Sequence, residues 1–237
     1  MKGPTSALDV SIVIPAYNEA KHIAAVLSAL RDLGSAAAII VVDDGSQDRT
    51  AGIVRRLMAL DPRLRLIRLY PNQGKGAAMC AGAKWAPTDI VLFLDADLVG
   101  VTGEHVRALA APVVAGRADM SVALFRQGRL ITDLSHIITP GVSGQRCLRW
   151  SQFQDAPGLR EAGYGAEMVV RQHALAHRMK IERVIWQGVT HVTKEEKLGL
   201  GIGLFARLHS DVQIVRWFVR ALWERWSHGR RQGRYWH

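Results

Sequence analysis

The sequence predicts an α/β fold, with a mostly parallel sheet that carries helices on both faces. Short runs of β-formers alternate along the first half of the chain with segments whose apolar residues recur at helical spacing. Such a β-α-β rhythm is typical of parallel sheets, because each crossover returns the chain to the same edge. Two of the runs, residues 39–42 and 90–94, are apolar throughout, as expected for strands buried on both faces.

In chain order, the pattern predicts strands at residues 10–15, 39–42, 64–69, 90–94, 120–125 and 181–186. Helices are predicted at residues 23–33, in the segment after Asp48, and at 77–86, 104–115 and 164–179. Asp48 is of a residue type that caps helix N-termini. Residues 126–155 are rich in Gly, Ser, Thr and Arg. We expect this last segment to be irregular and to bind an anionic acceptor.

The size and composition of the chain are those of one globular domain. It has 237 residues, of which 49% are apolar and 22% are charged. No apolar stretch has the pattern of a signal peptide or the length of a transmembrane helix. The two cysteines, Cys80 and Cys147, have neither a metal-binding nor a redox spacing, which favours a reducing compartment. We therefore expect a cytoplasmic protein.

The positive charge of the chain favours a polyanionic partner. The formal net charge of +10 suits nucleic acid, an anionic membrane or a phosphorylated substrate. Nucleic acid is disfavoured, because the basic residues form no compact patch interleaved with aromatic residues before Arg216. The alternative is that the charge only aids solubility, since Lys and Arg are spread along most of the chain.

Carboxylates follow two of the predicted buried strands. Asp43 and Asp44 come after residues 39–42, and Asp95 and Asp97 come after residues 90–94. Ligands of open α/β sheets bind in the crevice at the carboxyl ends of the strands, so we expect all four acids around one crevice. A divalent cation relieves their repulsion, and Mg²⁺ and Mn²⁺ prefer carboxylate and phosphate oxygens. The simplest user of such a site is an enzyme that binds a metal-bound diphosphate, although the first pair also fits an Asx turn.

Two further segments contain candidate binding residues. In residues 15–19 (PAYNE), Tyr17 offers a ring to a nucleotide base, and Glu19 can accept a hydrogen bond from the base. The same segment also fits a plain helix start, with Asn18 as the N-cap. In residues 74–76 (GKG), Lys75 can reach an anion, but the spacing is not that of a Walker loop. An ordinary turn is the alternative for this segment.

The order of the four segments PAYNE, DDGS, GKG and DAD resembles that of family-two-type glycosyltransferases with the GT-A fold, over about residues 10–125. The resemblance implies a single GT-A-like, Rossmann-like domain, a nucleotide-sugar donor, and Mg²⁺ or Mn²⁺ as the cofactor. It implies donor-binding roles for Pro15, Tyr17, Glu19, Asp44, Lys75 and Asp95. It places Asp95 near the ribose. It also places Asp97, which is not one of these six residues, on the metal.

The second half of the chain resembles glucosyl-3-phosphoglycerate synthases in residues 128–133 (GRLITD), 163–167 (GYGAE) and 188–191 (GVTH). This resemblance implies that Arg129 and Thr132 bind an acceptor phosphate. It also implies that Tyr164 and Glu167 lie near the transferred sugar and that His191 is a further metal ligand. A structural histidine at a strand end is the alternative for His191. Two residues separate Arg129 from Thr132 where one is expected, which leaves the identity of the acceptor open.

We therefore expect transfer of a sugar from a nucleotide diphosphate sugar, such as UDP-glucose, to a small phosphorylated acceptor such as 3-phosphoglycerate. A metal on Asp97 neutralises the leaving diphosphate, and Lys75 assists as a fixed positive charge. Glu167 is the base of an inverting mechanism, or it positions the sugar in a retaining one. A non-catalytic nucleotide-binding protein is a third hypothesis, and Asp95, Asp97 and Lys75 argue against it.

We divide the chain into a GT-A-like domain, residues 1–210, and a basic, tryptophan-rich C-terminal helix and tail, residues 211–237. The domain comprises a nucleotide-sugar half, residues 1–125, and an acceptor half, residues 126–210. The C-terminal segment is predicted to be an amphipathic helix with tryptophans on its apolar stripe and arginines outside it. This pattern fits either peripheral contact with an anionic membrane or packing on the domain. Membrane contact favours a second acceptor class, a polyprenyl phosphate or another lipid, and the oligomeric state stays open, a homodimer included.

Overall fold

A computed structural model of the chain describes residues 8–31, 33, 36–126 and 143–192. The strands are β1 (Leu8–Ala16), β2 (Ala36–Asp44), β3 (Leu64–Leu69), β4 (Ile90–Phe93), β5 (Leu98–Val99), β6 (Met120–Arg126), β7 (Arg146–Arg149), β8 (Ile181–Gln187) and β9 (Thr190–His191). The helices are α1 (Ile23–Arg31), α2 (Thr50–Met58), α3 (Lys75–Lys84), α4 (Gly103–Val114) and α5 (Ala166–Ala176). Short 3-10 turns cover Trp150–Gln152 and Gly163–Gly165.

The main sheet has the strand order β3-β2-β1-β4-β7-β6-β8. Its ladders are parallel except for those of β7, which runs antiparallel to both β4 and β6. Strands β5 and β9 form a separate antiparallel ladder. The predicted α/β fold with a mostly parallel sheet is confirmed.

Helices cover both faces of the main sheet. Helices α1, α2 and α4 pack on the face that carries Ile12, Ile39 and Val41, and together they enclose the main apolar core. Helix α3 packs on the other face. It lies so close to the strands that a Cβ atom on Gly82 would lie 2.3 Å from Cγ1 of Val13. The glycines and alanines of α3 therefore allow a close approach between helix and sheet.

Most predicted elements are present with small shifts at their ends. The helix predicted at residues 77–86 begins already at Lys75, and a 3-10 turn precedes α5 within residues 164–179. Asp48 does bind the first amide of α2, since its Oδ1 accepts a hydrogen bond from the N–H of Thr50 at 2.9 Å. Asn18 is not the N-cap of α1, because the helix begins at Ile23 and Asn18 adopts a φ of 56°.

The prediction that residues 126–155 are irregular is wrong at β7. Cys147 of this strand lies opposite Leu92 of β4 on one side and Ser121 of β6 on the other. Its sequence, RCLR, lacks the apolar run expected of a central strand, so pairing on both edges and not local pattern makes it a strand. The predicted C-terminal helix lies outside the described residues. No helix in the described part of the chain has the length and apolar character needed to cross a bilayer.

Candidate active site

The turns that follow β1 and β2 are bonded to each other. The N–H of Asn18 donates to Oγ of Ser46 at 2.9 Å, and Oδ1 of Asn18 accepts from the N–H of Gln47 at 2.9 Å. The N–H of Glu19 also donates to Oγ1 of Thr50, at 2.9 Å. The PAYNE and DDGS segments therefore meet at one edge of the sheet, at the carboxyl ends of two parallel strands.

The residues predicted to bind the nucleotide base differ in their exposure at this edge. Tyr17 is 43% exposed, which leaves its ring available to a ligand, whereas Pro15 is half-buried near the end of β1. Oε2 of Glu19 lies 2.9 Å from Nδ1 of His22, so this carboxylate is held at the start of α1. Of Pro15, Tyr17 and Glu19, the tyrosine is thus the most accessible to a ligand.

The adjacent acids Asp43 and Asp44 bind two different groups. Asp43 has no exposed surface, and its Oδ2 accepts from Nε of Arg68 at 2.9 Å. The two carboxylate oxygens of Asp44 accept from the backbone N–H groups of Gln73 and Gly74, each at 2.8 Å. Asp43 thus ties β2 to β3, and Asp44 fixes the turn in front of α3. Among the described residues, the group of side chains that could share one cation contains neither Asp43 nor Asp44.

Asp95, Asp97 and His191 form a cluster beyond the end of β4. One ligand atom from each of them lies within 4.8 Å of the other two. Nδ1 of His191 lies 3.2 Å from Oδ1 of Asp97 and 4.0 Å from Oδ2 of Asp95. The ladder between β5 and β9 produces this meeting, because it sets His191 opposite Leu98, the residue after Asp97. The structure therefore brings together the predicted metal ligands from two distant parts of the chain.

Lys75 at the start of α3 bridges two carboxylates. Its Nζ donates to Oδ1 of Asp95 at 2.6 Å and also to Oε1 of Glu167 on α5. Burial by itself lowers the pKa of an ammonium group, but the two carboxylates outweigh burial and hold the pKa of Lys75 above its usual range. The lysine is therefore a fixed positive charge that links the end of β4 to α5.

The charges of the cluster also shift the pKa values of its other members. Burial raises the pKa of a carboxyl group, but Lys75 and then His191 outweigh it, so the pKa of Asp95 lies below its usual value. Burial lowers the pKa of His191, but the hydrogen bond to Asp97 and the charge of Asp95 outweigh it and raise that pKa. The raised pKa favours the protonated imidazole, and a cation that binds this ring has to displace that proton.

Residues in and before β7 complete the site, and the sequence pattern does not predict them. Nε2 of Gln145 donates to Oδ2 of Asp95 at 2.6 Å. Arg146 has no exposed surface, and it donates to the backbone carbonyls of Glu167, at 3.0 Å, and of Ser143. Burial lowers the pKa of Arg146, while Glu167 and Asp95 oppose that shift. The signal is an arginine at the start of a central strand with a glutamine directly before it, and this signal can be recognised only once the strand itself is known.

The predicted acceptor residues are described only in part. Arg129 and Thr132 lie outside the described residues. Tyr164 lies in the 3-10 turn Gly163–Gly165, directly before α5 and its Glu167. The turn and the helix therefore place the GYGAE segment beside Lys75, through the contact between Lys75 and Glu167.

The donor atoms of the cluster fit a divalent cation. Two carboxylates and one imidazole, all half-buried, suit Mn²⁺, and carboxylates with phosphate oxygens suit Mg²⁺. The cation would lie beside the Lys75 ammonium, which leaves the local charge close to balance. A polyphosphate with several negative charges would then find two neighbouring sources of positive charge.

A family model for glycosyl transferase family 2 matches residues 11–185. The chain therefore belongs to this family of glycosyltransferases, and the resemblance seen in its four sequence segments is confirmed. The match includes every described residue of the candidate site except His191.

Relatives of known activity match the chain over a shorter stretch. An undecaprenyl-phosphate 4-deoxy-4-formamido-L-arabinose transferase of Pectobacterium carotovorum subsp. carotovorum is 42% identical over 96 residues, which cover 38% of this chain and 29% of the relative. A dolichyl-phosphate beta-glucosyltransferase of Dictyostelium discoideum is 33% identical over 107 residues, covering 40% and 33% respectively. The chain thus spans about a third of the length of these relatives.

Solved structures match over most of the chain. Glucosyl-3-phosphoglycerate synthase from Mycobacterium tuberculosis, in complex with Mn²⁺, UDP and glucosyl-3-phosphoglycerate, has a TM-score of 0.62 at 23% identity, covering 81% of this chain and 78% of that one. The same enzyme with Mg²⁺ and UDP has a TM-score of 0.61 at 22% identity, covering 84% and 78%. This likeness is one of fold, and it confirms the GT-A-like architecture.

Proposed function

We propose that the chain transfers a sugar from a nucleotide diphosphate sugar, with a divalent cation held by Asp95, Asp97 and His191. The observation that carries the proposal is the convergence of these three side chains beside the Lys75 ammonium. Membership of glycosyl transferase family 2 supports the reaction class, and the Mn²⁺ and UDP bound by the matching synthase structures support the cofactor and donor. We assign residues 1–125 to donor binding and residues 126–210 to acceptor binding.

Each part of the nucleotide-sugar donor is assigned to a named side chain. Tyr17 and Asp44 lie at the ends of β1 and β2, where the base of the nucleotide would bind, and Pro15 and Glu19 flank it. Asp95 and Asp97 hold the cation together with His191, and Asp95 is also assigned to the ribose of the donor. A divalent cation bound there supplies a Lewis acid for the leaving diphosphate. Lys75 contributes a preorganised positive charge that needs no rearrangement during the reaction.

Glu167 faces the transferred sugar in this proposal. Its carboxylate is held by Lys75 and its backbone carbonyl by Arg146, so the side chain has a fixed direction. In an inverting reaction Glu167 would accept the proton of the acceptor hydroxyl, and in a retaining one it would position the sugar. Tyr164, in the turn before α5, supports the same sugar.

We assign a small phosphorylated acid as the acceptor, bound through Arg129 and Thr132. The synthase structures that match this fold over most of the chain contain small phosphorylated molecules, phosphoglyceric acid and glycerol 3-phosphate. A guanidinium group binds phosphate through two parallel hydrogen bonds, a geometry that suits Arg129. The net charge of +10 favours a phosphorylated substrate as well.

A lipid phosphate is the second candidate acceptor. The names of two relatives that match in sequence include undecaprenyl phosphate and dolichyl phosphate. Their alignments cover 38% and 39% of this chain. In this case residues 211–237 would hold the enzyme at an anionic membrane surface.

A screen of donors and acceptors tests both candidates. The full chain is incubated with uridine or guanosine diphosphate sugars, Mn²⁺ or Mg²⁺, and either 3-phosphoglycerate or a short polyprenyl phosphate, and the products are read by mass spectrometry. We expect a glycoside of the 3-phosphoglycerate hydroxyl or a sugar phosphodiester of the lipid. This product should be lost in Asp97→Ala but not in Asp9→Ala, which changes an exposed carboxylate at the amino end of β1. Equal turnover in both variants, or turnover that survives a chelator, would contradict the metal-dependent mechanism.

A further inference from the structure

We propose that Gln145 is a positioning residue whose side-chain amide fixes the Asp95 carboxylate, with one oxygen toward Lys75 and the other toward His191. Oδ1 of Asp95 accepts from Nζ of Lys75 at 2.6 Å, and Oδ2 accepts from Nε2 of Gln145 at 2.6 Å. The same Oδ2 lies 4.0 Å from Nδ1 of His191. The inference rests on the proposed function, because it gives Gln145 a part in holding the metal site.

The amide of Gln145 has one favourable orientation. Its Oε1 accepts a hydrogen bond from Oγ of Ser143 at 2.8 Å, and its backbone N–H donates to the same Oγ at 3.3 Å. The ionised carboxylate of Asp95 only accepts hydrogen bonds, so the NH₂ group must face it. A flipped amide would set two acceptors against each other. Because Gln145 has no exposed surface, water cannot relieve that conflict.

Gly144 constrains the same carboxylate from another side. A Cβ atom at this position would lie 2.2 Å from Oδ2 of Asp95 and 2.8 Å from its Oδ1. The Asp95 carboxylate therefore lies directly against the backbone of residue 144, where only glycine leaves room for it. Residues 144 and 145, before β7, thus supply both a hydrogen-bond donor to the Asp95 carboxylate and a backbone surface against which it packs.

Such support matters for a metal site because an orienting hydrogen bond fixes a ligating carboxylate. Removing a partner of this kind typically costs about 10- to 100-fold in metal affinity. An ionised carboxylate has about four lone-pair sites, so the Gln145 amide leaves Oδ2 able to bind a cation. If Gln145 served only to fill a polar space in the fold, its loss would change stability and leave cation affinity unaltered.

The test measures Mn²⁺ alone. Binding of Mn²⁺ to the full chain is followed by electron paramagnetic resonance, without nucleotide, for the wild type, Gln145→Met and the control Gln152→Met. Gln152 is exposed on the 3-10 turn after β7. We expect the dissociation constant of Mn²⁺ to rise about 10- to 100-fold in Gln145→Met and to stay unchanged in the control. Thermal unfolding of the same samples shows whether each variant is folded.

Two further measurements keep the test decisive if Gln145→Met does not fold. Ser143→Ala retains the amide but removes the hydroxyl that orients it, and we expect a smaller rise in the Mn²⁺ dissociation constant. The side-chain amide resonance of Gln145 in the wild type is expected to shift when Mg²⁺ is added. Unchanged Mn²⁺ affinity in the folded variants, or an amide resonance that does not move, overturns the proposal. A wild type that binds Mn²⁺ with the predicted dependence on Gln145 but transfers no sugar overturns the proposed function alone.

Discussion

Nζ of Lys75 lies 2.6 Å from Oδ1 of Asp95, on the carboxylate whose other oxygen faces His191. A fixed cation therefore lies next to the place where a divalent cation would bind. The same ammonium contacts Glu167, so one side chain connects the metal cluster to α5. Loss of the Lys75 ammonium is therefore expected to strengthen metal binding and to slow catalysis.

Lys75→Met should bind Mn²⁺ more tightly than the wild type and transfer sugar more slowly. Loss of the neighbouring ammonium removes electrostatic repulsion, so we expect an Mn²⁺ affinity higher by a factor of about 3. Loss of a preorganised positive charge should lower turnover by about 100-fold. Titration with Mn²⁺ followed by electron paramagnetic resonance measures the affinity, and an assay of the sugar product measures the turnover. Lys84→Met, at the exposed end of α3, is the control. Weaker Mn²⁺ binding in Lys75→Met would contradict the electrostatic account.

The affinity for Mn²⁺ should rise with pH because of His191. The pKa of His191 is raised in the metal-free protein, mainly by Asp97 and Asp95 against the effect of burial. Its protonated form therefore stabilises the metal-free fold below about pH 6.5, and this contribution is lost as pH rises through the folded-state pKa. A metal needs the neutral imidazole, so Mn²⁺ competes with that proton.

Titrations with Mn²⁺ between about pH 6 and 8.5 check this dependence. We expect the wild type to gain affinity across the range and His191→Asn to bind more weakly with a flatter profile. His177→Asn changes an exposed histidine at the end of α5 and should follow the wild type. A wild-type affinity that is constant with pH would show that His191 does not bind the metal.

The parts of the site that the sequence predicts are those defined by local pattern. Asp95 and Asp97 follow a strand, and Lys75 begins a helix directly after Gly74. Such strand ends and helix starts can be recognised from the residues on either side. Their meeting follows from parallel topology, which the β-α-β rhythm already implies. The role of Asp44 is different, because its bonds to Gln73 and Gly74 depend on how two turns fold together.

The parts that the sequence does not predict depend on tertiary pairing. The residues RCLR become β7 because β4 and β6 supply partners on both edges, and no local pattern shows this. Gln145 and Arg146 are consequently invisible as site residues until the strand is placed. Family resemblance predicts His191 as a metal ligand, whereas its position beside Asp97 follows from the ladder of β5 with β9.

Two glycine-to-alanine substitutions should change stability in opposite directions. A Cβ atom on Gly82 of α3 would lie 2.3 Å from Val13 and 2.9 Å from Val42, so Gly82→Ala should lower the free energy of unfolding by about 1 to 3 kcal/mol. A Cβ atom on Gly52 of α2 meets nothing within 4 Å, so Gly52→Ala should raise it by about 0.5 to 1 kcal/mol. Urea denaturation measures both values. If Gly82→Ala and Gly52→Ala change the free energy of unfolding equally and in the same direction, the close packing of α3 on the sheet is refuted.

The buried guanidinium of Arg146 should be essential for the stability of the fold around β7 and α5. It donates to the backbone carbonyls of Ser143 and Glu167, and its charge faces the carboxylates of Glu167 and Asp95. Arg146→Met leaves two buried carbonyls without these donors and removes a compensating charge. We therefore expect the free energy of unfolding to fall by about 3 kcal/mol.

Urea denaturation of Arg146→Met, Arg146→Lys and Arg160→Met tests this role. Lysine keeps the charge but lacks the planar fork with which arginine donates to both carbonyls. The free energy of unfolding of Arg146→Lys should therefore lie between those of the wild type and Arg146→Met. Arg160 is exposed, so Arg160→Met controls for removal of an arginine as such. If Arg146→Met and Arg160→Met unfold at the same urea concentration, the guanidinium does not hold β7 to α5. In that case Glu167 would owe its position to Lys75 alone, and Lys75→Met should then destabilise the fold more than Arg146→Met does.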